Sequence, residues 1–243
     1  MAEMIAVWGT PASGKTTIAV KLARTIYQTK RKSVILLLSD RRTPGIPAVL
    51  STRREEQFSV GDILSRVGFS EEDILSGTNV RQKQENFALL GYTFGENCNT
   101  YPPLTHDTVS RFYELLGNMT DYIVVDCESN LSDNLLSNAA VRNAGTVFRL
   151  LSPDLSSMSY KFSQLPLYPD ELFHIEKQIT VLNHPRNDIL WAEKEIRDLC
   201  PEIKMILPYS GRLASQSAEG KLLKETLDPH FEKAIRVLAA IVP

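Results

Sequence analysis

Residues 9–16 read Gly9-Thr10-Pro11-Ala12-Ser13-Gly14-Lys15-Thr16, directly after the apolar run Met4-Ile5-Ala6-Val7-Trp8. The spacing is G-x-x-x-x-G-K-[ST], the pattern of a phosphate-binding loop. Each part has a physical reason. Glycines let the backbone curl until successive N–H groups point at phosphate oxygens. Lys15 supplies a point charge for the outer phosphates, and Thr16 a hydroxyl for Mg²⁺. A helix beginning at Lys15 aims its partial positive charge at the same anion. Ile18, Ala19, Leu22, Ala23 and Ile26 follow at spacings of three and four, which predicts that helix over Lys15–Thr29.

Short apolar runs recur along the chain: Met4–Trp8, Val34–Leu38, Phe87–Leu90, Tyr122–Val125, Thr146–Leu151, Gln178–Leu182 and Ile203–Leu207. Near-continuous Val/Ile/Leu runs suit strands covered on both faces. Helical patterns lie between them at Val60–Val67, Thr105–Asn118, Ser132–Ala144, Ile189–Leu199 and Pro229–Ala240. Alternation of this kind predicts an α/β fold: a doubly wound, mostly parallel sheet with helices on both faces and a ligand site at the strands' C-terminal ends. The 243 residues fit a single domain over 1–243. Two stretches break the alternation. Ser39–Ser59 carries Arg41, Arg42, Arg53 and Arg54 among prolines and reads as a loop with a short polar helix or turn. Its arginines form either a solvated face or a contact for phosphate or an acidic partner. Ser152–Asp170, rich in Ser, Pro and Tyr, is expected to cover an edge of the site.

A net charge of −2 gives no overall drive toward nucleic acid or anionic membrane. Cys98, Cys127 and Cys200 form no C-x-x-C pair. No secretory leader is legible, and no apolar stretch approaches the roughly 20 residues that span a bilayer. The expectation is a soluble, reduced, cytoplasmic protein without a transmembrane segment.

A phosphate loop needs a carboxylate for its metal. Asp121-Tyr122-Ile123-Val124-Val125-Asp126 offers Asp126 at a strand's end, where an acid holds the Mg²⁺ shell. Asp40, after Val34–Ser39, is a second such acid, or else caps the turn before Pro44.

With these residues in view, the chain resembles the MinD/ParA family of P-loop ATPases, the deviant Walker A group. Asp121–Cys127 is similar to the family's D-Y-I-I-I-D-x segment, Leu151–Asp154 to the strand end that follows, and Val181-Leu182-Asn183 to the strand whose Asn reads adenine. Leu207-Pro208-Tyr209 resembles the step lining the base pocket, and Ser217–Lys221 the family's closing segment. The resemblance implies ATP and Mg²⁺ as cofactors. It assigns Lys15 to the β- and γ-phosphates, Thr16 and Asp126 to the metal, and Thr17 to the α-phosphate. Asp40 falls in switch I, orienting water or the metal shell, and Lys15, Asp40 and Asp126 form the catalytic set. Gly9 to Thr16, Thr17, Asn183, Pro208 and Tyr209 are the nucleotide contacts. Asn183 reads equally as a strand-end turn cap.

The chain also departs from that pattern. The family's loop begins with a lysine that crosses a dimer interface to the partner's nucleotide, and Thr10 stands in its place. Arg41 or Arg42 is the candidate within the sequence to supply that charge instead. After Asp126 comes Cys127-Glu128-Ser129 instead of a proline-containing run, with Glu128 read as a solvated side chain rather than a water-orienting one. The implied function is a slow ATPase acting as a switch: ATP-dependent homodimerisation that positions or partitions cargo (DNA, a plasmid, or pilus or secretion machinery), as in TadZ/CpaE-like pilus proteins or ParA-like proteins of mobile elements. The implied partners are a protein cargo or adaptor, with non-specific DNA as a further class. A small-molecule kinase, an ATP-dependent ligase and an ATP-binding scaffold without turnover are the competing readings, because none needs the missing lysine.

Overall fold

The computed structural model describes residues 2–50, 58–79, 86–184, 193–226 and 228–243. In chain order the elements are β1 (Glu3–Gly9), α1 (Lys15–Lys30), β2 (Val34–Leu38), α2 (Ile46–Val49), α3 (Val60–Leu64), α4 (Glu71–Ser76), β3 (Phe87–Gly91), α5 (His106–Met119), β4 (Tyr122–Asp126) and α6 (Leu135–Asn143). They continue with β5 (Thr146–Leu151), α7 (Leu155–Gln164), α8 (Asp170–Phe173), β6 (Ile179–Asn183), α9 (Glu193–Leu199), β7 (Ile203–Leu207), α10 (Gly211–Ala218) and α11 (Pro229–Ile241).

The strands form one sheet in the order β3-β2-β4-β1-β5-β6-β7. Every pairing is parallel. Parallel strands need crossovers, and the intervening helices bury both faces of the sheet. Residues of each strand alternate between those faces. Ile5 and Val7 join Leu36, Leu38 and Val124 in a core closed by Ile18, Leu22 and Ile26 of α1 and by Phe231, Ile235 and Leu238 of α11. Ala6 and Trp8 join Ile35, Leu37, Ile123 and Val125 on the other face, under Phe112 and Leu116 of α5 and Leu136 of α6. From β1 the chain passes to β2 on one side, and from β5 to β6 and β7 on the other. β1 therefore lies at the switch point, where ligands of such sheets bind at the strand ends.

Polar caps fix where the flanking helices begin. Thr105 accepts from Thr108 N–H, Asn134 from Ser137 N–H, Asp154 from Ser157 N–H and Asp228 from Phe231 N–H. α1 starts differently: Gly14 precedes it in the left-handed region with no side-chain cap. Its first N–H groups are left for an external acceptor.

Several boundaries differ from the sequence reading. The segment expected as a polar helix in Ser39–Ser59 contains α2, which is apolar, with Ile46 and Val49 buried. Arg53 and Arg54 lie outside the described residues, as do 189–192 of the helix expected at Ile189–Leu199. The helix expected over Val60–Val67 stops at Leu64, and the one expected from Ser132 starts at Leu135 behind its Asn134 cap. Ser152–Asp170, which the sequence reading gave no helix, contains α7. Among the described residues no helix is long and apolar enough to cross a membrane.

Candidate functional site

The loop between β1 and α1 can form only with glycine at its first position. Gly9 has φ +141°, and a Cβ there would stand 2.0 Å from the Leu150 carbonyl oxygen of β5. Gly14 closes the loop at φ 84°, and Ala12 adopts φ 56°. Side chains then clamp the curl from within. The Ser13 hydroxyl donates to the Thr10 carbonyl at 2.7 Å, and Asn183 Nδ2, from the end of β6, donates to the Ser13 carbonyl at 2.7 Å. Thr10 N–H donates to the Leu150 carbonyl at 3.0 Å. Lys15 folds back over the loop, its Nζ donating to the Thr10 carbonyl at 3.2 Å and to Ser129 Oγ at 2.6 Å. Burial pushes the Lys15 ammonium below its ordinary range, against the pull of Asp126 and Asp40.

Asp126 ends β4 beside this loop, because β4 pairs with β1 in register up to Val7. Thr16 Oγ1 donates to Asp126 Oδ2 at 2.6 Å. The other oxygen, Oδ1, is buried without a partner. Burial raises the carboxyl to about 7, opposed by the Thr16 hydrogen bond and the Lys15 charge. An orphaned carboxylate oxygen next to a threonine hydroxyl and an uncapped helix start is the donor set of a hard divalent cation held together with a polyphosphate. The residues fit that group: Thr16 and Asp126 would hold the metal, and Lys15 with the loop N–H groups the phosphates.

Cavities lie on either side of the loop. One of about 370 Å³ is lined by Gly14, Thr17, Asn183, Pro208, Ser217 and Phe231 among others. The other, about 400 Å³, runs past Pro11, Ala12 and Lys15 to Asp40, Arg42 and Glu128. Thr17, Asn183 and Pro208 thus share one cavity, and Lys15 and Asp40 the other. Tyr209 is not among the lining residues of the first; it is exposed, and its hydroxyl end lies beside Gly211. Asn183 lines the pocket while spending a donor on the loop itself. Asp40 does cap its turn, accepting from Arg42 N–H at 2.9 Å and Thr43 N–H at 2.8 Å, and it faces the second cavity as well.

Glu128 requires a correction: it is not solvated but 4% exposed. Its carboxylate accepts from Asn134 Nδ2 at 2.9 Å and pairs with Arg42 Nε at 2.8 Å. Burial raises its carboxyl above the ordinary range. Asn134 Nδ2 also donates to the Ser39 carbonyl at 2.7 Å, so one amide ties the ends of β2 and β4 together. Arg42 reaches Asp133 too, and Arg41 donates to the Asp133 carbonyl. Both arginines are therefore engaged at the site's rim.

Sequence reasoning missed Ser129, Asn134, Ser157, Tyr160 and Gln164. Tyr160 and Gln164 project from α7 into the cavity beside Lys15, so the stretch expected to cover an edge of the site does border it. Their only sequence signal is the unusual polarity of that stretch; contacts across more than a hundred residues leave no local pattern.

The loop, the strand-end acid and the all-parallel sheet define a phosphate-loop nucleotide-binding α/β fold. The particular fold is that of the ParA and MinD ATPases. The chain is similar to a ParA family ATPase from Chlorobium tepidum TLS at 15% identity, over 98% of each chain, with a TM-score of 0.71. It is similar to MinD of Pyrococcus horikoshii OT3, solved with Mg-ADP, at 15% identity over 100% of this chain and 96% of that one, with a TM-score of 0.68. It is also similar to the MinC:MinD complex of Aquifex aeolicus at 16% identity, over 98% and 95%, with a TM-score of 0.70. No protein-family model and no curated protein matches the sequence.

Proposed function

We propose that this chain, acting as one ATPase domain, binds ATP with Mg²⁺ and is a slow nucleotide-dependent switch. Its ATP-bound homodimer would position or partition cargo, whether DNA, a plasmid, or pilus or secretion machinery, through a protein adaptor. The observation that carries the reading is the cluster of Lys15, Thr16 and Asp126, with the free Asp126 Oδ1 between them and the uncapped start of α1.

When bound, the metal and its nucleotide would supply charge neutralisation at the reacting phosphorus. The chain's own residues do the rest. Lys15 exchanges its Ser129 and Thr10 contacts for phosphate oxygens. Asn183 keeps the loop's curl from opening. Asp40 holds the turn that carries Arg42 against the cavity. Slow turnover follows from Thr10, whose buried hydroxyl is engaged by Ser157 and brings no charge. Gel filtration with and without a non-hydrolysable ATP analogue tests the switch: the analogue should shift a monomer to a dimer.

A second reading has its own support. The cavity beside Lys15 has room for a small acceptor, and the Tyr160 hydroxyl is buried there without a partner. A small-molecule kinase or an ATP-dependent ligase would use that space. A monomer unmoved by nucleotide, releasing ADP only with a co-substrate, favours this reading; a nucleotide-binding monomer with no turnover favours a scaffold.

A further inference from the structure

Thr10 brings no positive charge to the cavity beside Lys15. Its side chain is buried, with its hydroxyl 2.7 Å from that of Ser157. Among the described residues lining the cavity beside Lys15, the second cation is Arg42. Its backbone is fixed by the Asp40 carboxylate, which accepts from the N–H groups of both Arg42 and Thr43. Its side chain is just over half exposed, and its guanidinium spans Glu128 and Asp133 at the cavity's rim. A long cation on a rigid turn, beside Lys15 and held by two acids, has a choice of anions.

We propose that Arg42 is the cation that faces the terminal phosphate from within the same chain, and that Glu128 and Asp133 are its resting partners. The proposal rests on the nucleotide reading above. A triphosphate tail beside Lys15 concentrates more negative charge than two carboxylates, one of them half-exposed. Arg42 then leaves the rim and turns inward, pairing with phosphate oxygens as a planar fork. Arg41 does not share this position: its guanidinium donates to the Asp133 carbonyl, and it is not among the residues lining the cavity. The chain thus carries a second cation beside Lys15 in cis.

The test compares wild type, Arg42→Ala and Arg42→Lys for binding of Mg²⁺–ADP and of Mg²⁺–ADP with aluminium fluoride, and for phosphate release across a range of protein concentrations. Arg42→Ala should keep ADP affinity within about twofold, because ADP lacks the terminal group. It should weaken capture of the aluminium fluoride complex by about tenfold or more, and lower turnover by about tenfold to a thousandfold. Arg42→Lys should restore part of both. Per-subunit turnover of the wild type should be independent of protein concentration. Unchanged aluminium fluoride capture by Arg42→Ala, or wild-type turnover that rises steeply with concentration, overturns the proposal. If wild type itself binds no ADP, the nucleotide reading falls and the proposal with it.

Discussion

The hydroxyls of Thr10 and Ser157 meet at 2.7 Å in the interior, and Ser157 also accepts from Ser152 N–H at 3.0 Å. The residue at the loop's second position is therefore a clip between the phosphate loop and the start of α7, not an arm reaching outward. This has a consequence for engineering. Thr10→Lys should not create a surface cation; it should bury an ammonium and break the clip. We expect a loss of about 2–4 kcal/mol in urea unfolding, with Thr10→Ser close to wild type.

Gly9 admits no side chain. Gly9→Ala would place a methyl against the Leu150 carbonyl in a backbone conformation that L residues avoid. The loop and the β1–β5 pairing should both suffer, with a destabilisation above about 3 kcal/mol by the same measurement. Gly68 also has positive φ, but a Cβ there would meet nothing within 4 Å. Gly68→Ala should accordingly cost about 1 kcal/mol, from backbone strain alone.

Lys21, buried within α1, donates to Gln216 Oε1 at 2.7 Å, to the Leu222 carbonyl at 2.7 Å and to the Lys224 carbonyl at 2.8 Å. It joins the helix behind the phosphate loop to α10 and the segment after it. Lys21→Met should leave these acceptors unpaired and cost about 2–4 kcal/mol, read as a lowered thermal midpoint.

Asp126 makes the metal-free protein sensitive to pH. Its carboxyl is raised by burial from the ordinary carboxylate range to about 7. The folded state therefore holds a proton that the unfolded state has lost, and this group's contribution to stability falls as pH rises through the window from about 4 to about 7. Asp126→Asn removes the titration. With a chelator present, the variant should lose less stability than wild type between pH 5 and pH 8, as measured by chemical denaturation at each pH. Added Mg²⁺ and nucleotide should narrow the gap by stabilising the wild type more than the variant.

The fold was legible because its determinants are local. Among the described residues the seven strands are short, mostly apolar runs, and the regular alternation with helices leaves a parallel sheet as the economical solution. Lys15, Thr16 and Asp126 were legible for a related reason: each sits at an element boundary that the pattern marks. What stayed hidden depends on pairing between distant strands. Glu128 looks like any charged loop residue until β2 and β4 bring Arg42 and Asn134 against it. Thr10 looks like a missing lysine until α7 places Ser157 on it. The helix α7 itself was masked by its serines, of weak helical propensity, and by the prolines flanking it, which the Asp154 cap and the buried Met158 offset.

The account stands on Lys15 and its loop holding a triphosphate, and calorimetric titration with Mg²⁺–ATP asks this directly. Wild type should bind one equivalent. Lys15→Ala should bind at least about thirtyfold more weakly, the loss of about 2 kcal/mol expected for one charged contact, with its fold intact by circular dichroism. Equal affinities in the two proteins would contradict it.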